Sequence, residues 1–231
     1  MRHSRQRPSD THAPSLGSLL SEIARCRVCA DDLPLGPRPV LQTNEKAGLL
    51  IISQAPGSKV HHSGIPWNDS SGDRLRHWLS LDASHFYDST QVALLPIGLC
   101  YPGAAENGGD NPPRPECADL WHDQLIARLP KVQLTILVGQ YAQRRYLGGR
   151  CKSTLTKTVA AFSDYGPAAF PLPHPSWRSA LWSQKNPWFE LDVLPALRSA
   201  VRASTRRRAD HEPSDASSPL LQKGARRSNA V

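Results

Sequence analysis

Four short apolar runs, each broken by turn-forming residues and followed by helical periodicity, set the strongest constraint on what this chain can fold into. Residues 47–54 read Ala-Gly-Leu-Leu-Ile-Ile-Ser-Gln and stop at Ala55-Pro56-Gly57, and residues 91–97, 133–138 and 169–172 form comparable runs. A continuous apolar run of this length suits a strand covered on both faces. Helical spacing appears at residues 18–26 (Leu19, Leu20, Ile23, Ala24) and from Ser71-Gly72-Asp73 through Leu75, Trp78 and Leu79. It recurs at 116–129, 141–147, 154–162 and 188–201. Strands that alternate with helices pair in parallel, so the predicted product is an α/β fold: three α/β/α layers around a four-stranded parallel sheet. Ligands in such sheets bind at the carboxyl ends of the strands, which singles out the loops after residues 54, 97, 138 and 172.

The 231 residues supply one sizeable core, and one domain over residues 15–202 is expected. Residues 1–14 and 203–231 lack apolar periodicity and read as disordered tails, the second of them basic. The formal charge of +8 sits mostly in these ends. The C-terminal tail holds six Lys/Arg against three acids and the first 14 residues three Arg against one Asp, leaving the folded part about +3. Such a balance by itself selects no partner; basic tails add salt-dependent phosphate attraction without base specificity. No apolar run approaches a membrane span and no signal-peptide core is present, so a cytoplasmic, monomeric protein is expected. Five cysteines in a reducing compartment point to metal or redox chemistry more than to disulfides.

The loop after the first run reads Ser53-Gln54-Ala55-Pro56-Gly57, continues through Ser63-Gly64-Ile65-Pro66-Trp67, and meets the next helix at Ser70-Ser71-Gly72. The loop after the last run reads Leu172-Pro173-His174-Pro175-Ser176. In these two motifs, in this order, the chain resembles the uracil-DNA glycosylases over roughly residues 18–202, and most nearly their iron–sulfur branch. Cys26 and Cys29 are followed after 70 intervening residues by Cys100 and after 16 more by Cys117, which matches the placing of that branch's cluster ligands. The resemblance implies a 4Fe-4S cluster on Cys26, Cys29, Cys100 and Cys117, although zinc takes the same ligand types. Cys151 falls outside the pattern.

The same resemblance implies site roles. His174 would donate to the base carbonyl on which charge develops as the base leaves, and Gln54 stands where the branch has a catalytic Glu. Ala55, Pro56, Gly57, Trp67 and Pro96 would form the base pocket, with the Trp67 indole as a stacking face. Ser70, Ser71, Ser176 and Arg178 would hold DNA phosphates, and Trp177 would wedge into the duplex. Two departures stand out. Gln54 and Ala55 leave the first motif without a carboxylate, for which Asp69, Asp73, His61 and His62 are the candidate replacements. Pro96 replaces an Asn that reads the uracil edge, and proline offers only its carbonyl there. The implied function is a DNA-repair glycosylase that hydrolyses the N-glycosidic bond of uracil or a related damaged base. The alternative is a member of the same superfamily that binds damaged DNA without hydrolysis. A small-molecule nucleoside hydrolase is disfavoured, because the chain has no Gly-rich phosphate loop and no acidic metal cluster.

Overall fold

The computed structural model describes residues 14–106 and 108–205. The expected tails fall outside these residues except for Pro14 and residues 203–205, and the latter complete the last helix. Four strands form one sheet: β1 (Leu49–Ser53), β2 (Val92–Pro96), β3 (Leu134–Val138) and β4 (Ala169–Leu172). Their order is β2-β1-β3-β4 and every pairing is parallel, as expected. The register aligns Ser53 with Pro96, Ile52 with Leu137 and Val138 with Leu172, so all four strands end at nearly one level. The loops that leave them therefore share one rim.

Every strand residue is buried, and alternation sends successive side chains to opposite layers. Leu50, Ile52, Ala93, Leu95 and Leu137 pack with α1 (Leu16–Ala24), α5 (Pro115–Ile126) and α6 (Gly139–Leu147) through Leu19, Ile23, Leu125, Ala142 and Leu147. Leu49, Ile51, Leu94, Ile136 and Val138 pack on the other face against α3 (Ser70–Leu79), α7 (Leu155–Ala160) and α9 (Leu194–Thr205). The contacts there include Leu75, Trp78, Val159, Leu197 and Val201. This is the three-layer α/β/α arrangement. Short helices α2 (Ser58–Ser63), α4 (Ala83–Phe86) and α8 (Arg178–Gln184) fill loops that periodicity alone left unassigned.

Both sheet edges are managed. Residues 40–42 run along β2, with Gln42 and Leu94 exchanging backbone bonds of 3.0 and 2.7 Å. The Gln42 amide then donates to Phe86 O and Val92 O. On the other side β4 carries Pro171, which an edge strand tolerates because no neighbour needs its N–H.

One buried polar chain crosses the α5 side of the sheet. His122, fully buried on α5, donates from Nε2 to the Pro96 carbonyl at 3.0 Å, so its Nδ1 accepts the Tyr146 hydroxyl. Burial pushes the His122 pKa down to about 4 and that of Tyr146 up. The unfolded imidazole takes a proton near 6.5, well before the folded one, so stability must fall as pH drops through this interval. We expect a loss of roughly 3 kcal/mol between pH 7 and pH 4 from this residue. Denaturant titrations across that range should show the slope, and His122→Gln should flatten it.

Candidate functional site

The turn that ends β1 and the turn that follows β4 meet at the shared rim. Ala55, Pro56 and Gly57 from the first and His174 from the second line one cleft of about 100 Å³, room for a small ring. Pro96 closes it from β2, while Trp67, Asp69 and Ser71 close it from the start of α3. Asp110 reaches in from the loop after β2. A wider groove of about 360 Å³ lies between α1 and residues 39–43, lined by residues such as Leu20, Ile23 and Leu41 and by no ionisable group.

Trp67 is held in a left-handed backbone conformation, φ 57°, which is unfavourable for an aromatic residue. Helix α3 enforces it. Asp69 caps that helix, its Oδ1 accepting from Gly72 N at 2.8 Å, and Arg76 Nη1 donates to Trp67 O at 3.3 Å. Gly72 makes room: a Cβ there would sit 1.8 Å from Trp67 O. The indole that results is buried and lies face to face with the His174 ring, centroids 5.8 Å apart and planes 27° apart.

His174 is aimed by its surroundings. Gly139, φ 81°, opens α6 directly behind it, and a Cβ at that glycine would touch His174 Cβ at 3.7 Å. Arg74 of α3 donates from Nη1 to the carbonyls of Pro175 and Ser176, clamping the turn to the helix that carries Asp69. Neither His174 ring nitrogen has a hydrogen-bond partner among the described residues. Burial lowers its pKa below the ordinary 6.5, opposed by the charge of Asp69. The imidazole is therefore neutral at pH 7 and has an N–H to offer.

The other expected site residues are dispersed around this centre. The Gln54 side chain does not line the cleft; its amide donates to Asn111 O at 3.2 Å and braces the loop that bears Asp110. Pro96 presents its ring to the cleft, whereas its carbonyl is engaged from the opposite layer by His122. Ser70 stands in the first turn of α3 beside Ser71. Ser176 O accepts from Ser179 N and Oγ at the start of α8. Trp177 is 69% exposed, and the Arg178 guanidinium lies 5.0 Å over its ring. Of the candidate replacements for the missing carboxylate, Asp69 alone faces the cleft. Asp73 pairs with Arg76 at the surface, His62 bonds Ser58 O, and His61 is buried beside Tyr101. Sequence reasoning missed Asp110, whose only signal was its place in a Gly/Pro-rich loop after β2.

The cysteine expectation is overturned. Among the described residues no group of three or more His, Cys, Asp or Glu is placed to hold a metal ion, so neither a 4Fe-4S cluster nor zinc is assigned to Cys26, Cys29, Cys100 and Cys117. Nor is the chain assigned to an iron–sulfur branch. Helix α1 stops at Ala24, before Cys26, and Cys29 precedes a separate 3-10 turn. Cys29 and Cys100 pack with Leu33 in a small apolar cluster, while Cys117 joins the α1–α5 core. Desolvation raises the Cys29 thiol and carries Cys100 to about 11 and Cys117 to about 12. Buried thiols that stay protonated pack like small apolar side chains, whereas ligands must be thiolates.

Gly72→Ala tests the Trp67 junction. The added methyl must displace Trp67 O, so a destabilisation of about 1–3 kcal/mol is expected, with quenching of tryptophan fluorescence altered at the cleft. Denaturant unfolding and acrylamide quenching read both effects. The family comparison agrees with this geometry: residues 41–198, more than half of the chain, match the model described as Uracil DNA glycosylase superfamily. The matched span contains both rim turns, all four strands and every residue that lines the cleft except Val40. A cleft at the strand ends with an indole wall and a neutral histidine, inside that match, places the chain in the uracil-DNA glycosylase superfamily.

Proposed function

We propose that this protein binds DNA and hydrolyses the N-glycosidic bond of uracil or a related damaged base, releasing the base and leaving an abasic sugar. The observation that carries the reading is the stacking of Trp67 on a neutral His174, whose ring nitrogens have no hydrogen-bond partner among the described residues, in one cleft at the ends of β1 and β4. Base excision requires the nucleotide to leave its stack and enter a small pocket with a flat wall. It also requires a donor where the departing base gathers negative charge, and a neutral imidazole in a desolvated site does this without a prior proton transfer.

Features around the mouth support DNA as the partner. Trp177 at the N-cap of α8 and Leu181 one turn on are exposed, the Arg178 guanidinium lies over the Trp177 ring, and this segment directly follows the His174 turn, while the first turn of α3 offers backbone N–H groups beside Ser70 and Ser71. The Pro96 ring removes an amide from the base-reading wall, so discrimination among bases rests on the groups that remain.

Non-hydrolytic binding is the second reading, favoured by the absence of any carboxylate from the Gln54–Gly57 turn. Both readings are separated by incubating the protein with single- and double-stranded oligonucleotides carrying uracil, hypoxanthine or xanthine, followed by alkaline strand cleavage. Release of one of these bases is the expected outcome; binding without release of any of them would establish the second reading. His174→Ala should lower the excision rate by about 100-fold or more while leaving oligonucleotide affinity little changed. Trp177→Ala should instead weaken the affinity for DNA, read by fluorescence anisotropy.

A further inference from the structure

The geometry points to Asp110, supplied by the loop after β2, as the carboxylate that takes the proton from the attacking water, with Asp69 as its partner across the cleft. This rests on the glycosylase reading above and completes it, because the Gln54–Gly57 turn offers no base.

Four observations support the assignment. The first is elimination within the cleft: the ionisable groups that line it are His174, Asp69 and Asp110. With the His174 N–H directed at the departing base, the remaining lining groups able to take a proton are the two carboxylates. The second is convergence. Oδ2 of Asp110 and Oδ2 of Asp69 lie 3.5 and 3.9 Å from the point where a Gly57 side chain would begin, so both carboxylates occupy the space that this glycine leaves open. The third is hydrogen bonding. Asp69 commits Oδ1 to Gly72 N as the cap of α3, whereas the Asp110 carboxylate accepts no hydrogen bond among the described residues. Asp110 is exposed at the mouth of the cleft, so its carboxylate oxygens are open to a water or a substrate.

The fourth is that the loop is built to hold it. Ala104 and Asp110 form an antiparallel bridge, Asn111 N donates to Gly103 O at 2.9 Å, and Asn111 Nδ2 donates to Pro102 O. Gln54 reaches across from the β1 turn to Asn111 O and ties this hairpin to the cleft. Desolvation first, and the charge of Asp69 second, raise the Asp110 pKa, which makes its carboxylate a stronger proton acceptor than an unperturbed one. The other titratable groups near it are Tyr101 and His174.

In the step, water oxygen bonds to C1′ as the C1′–N bond breaks. The electron pair of that bond leaves with the base, whose anion His174 stabilises by its N–H. The water proton passes to Asp110, while the negative charge of Asp69 offsets the cationic character of the sugar. Asp110 then returns its proton to solvent, and the base is protonated on release.

The test compares wild type, Asp110→Asn and Asp110→Glu on uracil-, hypoxanthine- and xanthine-containing oligonucleotides under single-turnover conditions, with binding measured separately. We expect Asp110→Asn to slow excision by about 100-fold or more at unchanged affinity, and Asp110→Glu to recover part of the rate because it keeps the carboxylate. An Asn variant within threefold of wild type, or a loss confined to affinity, overturns the role of Asp110 while leaving the glycosylase reading intact. A wild type that excises none of these bases overturns the glycosylase reading and this assignment with it. Circular dichroism of each variant checks that the loop change leaves the fold in place.

Discussion

Backbone hydrogen bonding along four parallel strands is the constraint from which the rest of the molecule follows. Each strand is covered on both faces, so its peptide groups must find partners within the sheet. The register that satisfies them brings Ser53, Pro96, Val138 and Leu172 to one level. Beyond that level the chain has no sheet partners and turns into loops. Polar side chains that find no place in the two apolar layers collect there. The cleft is thus a consequence of where the ladder stops: it stands at the carboxyl ends because helices return the chain behind the sheet.

A single junction then couples the cleft wall to its chemistry. The start of α3 fixes three things together: the unfavourable backbone of Trp67, the cap that holds Asp69, and the guanidinium of Arg74 that grips the His174 turn. None of these could be set independently, because Gly72 N is the donor for Asp69 and the Gly72 α-carbon is also what allows Trp67 O its position. Helix stability is thereby spent on holding a strained indole against a histidine. Such strain persists only where surrounding packing over-determines it, and here the packing is Leu75, Trp78 and Leu79 on the sheet.

Electrostatically the cleft differs from its motif. The β1 turn is free of charge, yet two carboxylates face the open space beside Gly57, one from a helix cap and one from a distant loop. Opposite them, burial keeps His174 neutral. A site of this kind separates its groups by environment: the imidazole has an N–H to offer on one side, and carboxylate oxygens stand on the other. Cys29, Cys100 and Cys117 lie outside the cleft, where apolar surroundings raise their pKa values and they serve as packing groups.

The amino-acid order by itself determined the layered α/β fold, because apolar runs of strand length alternating with helical periodicity admit few other arrangements, and it marked Pro56-Gly57 and His174-Pro175 as turns at strand ends. It also placed Trp67 near them. The fate of the cysteines was decided only in three dimensions, since spacing along the chain says which residues share a segment and nothing about whether their sulfur atoms converge. The turning of the Pro96 carbonyl toward His122, the diversion of Gln54 into a brace, and the arrival of Asp110 at the cleft were also tertiary outcomes. Each depends on a contact between residues 26 to 57 positions apart, and no local pattern encodes such a contact because loop geometry, not periodicity, sets it.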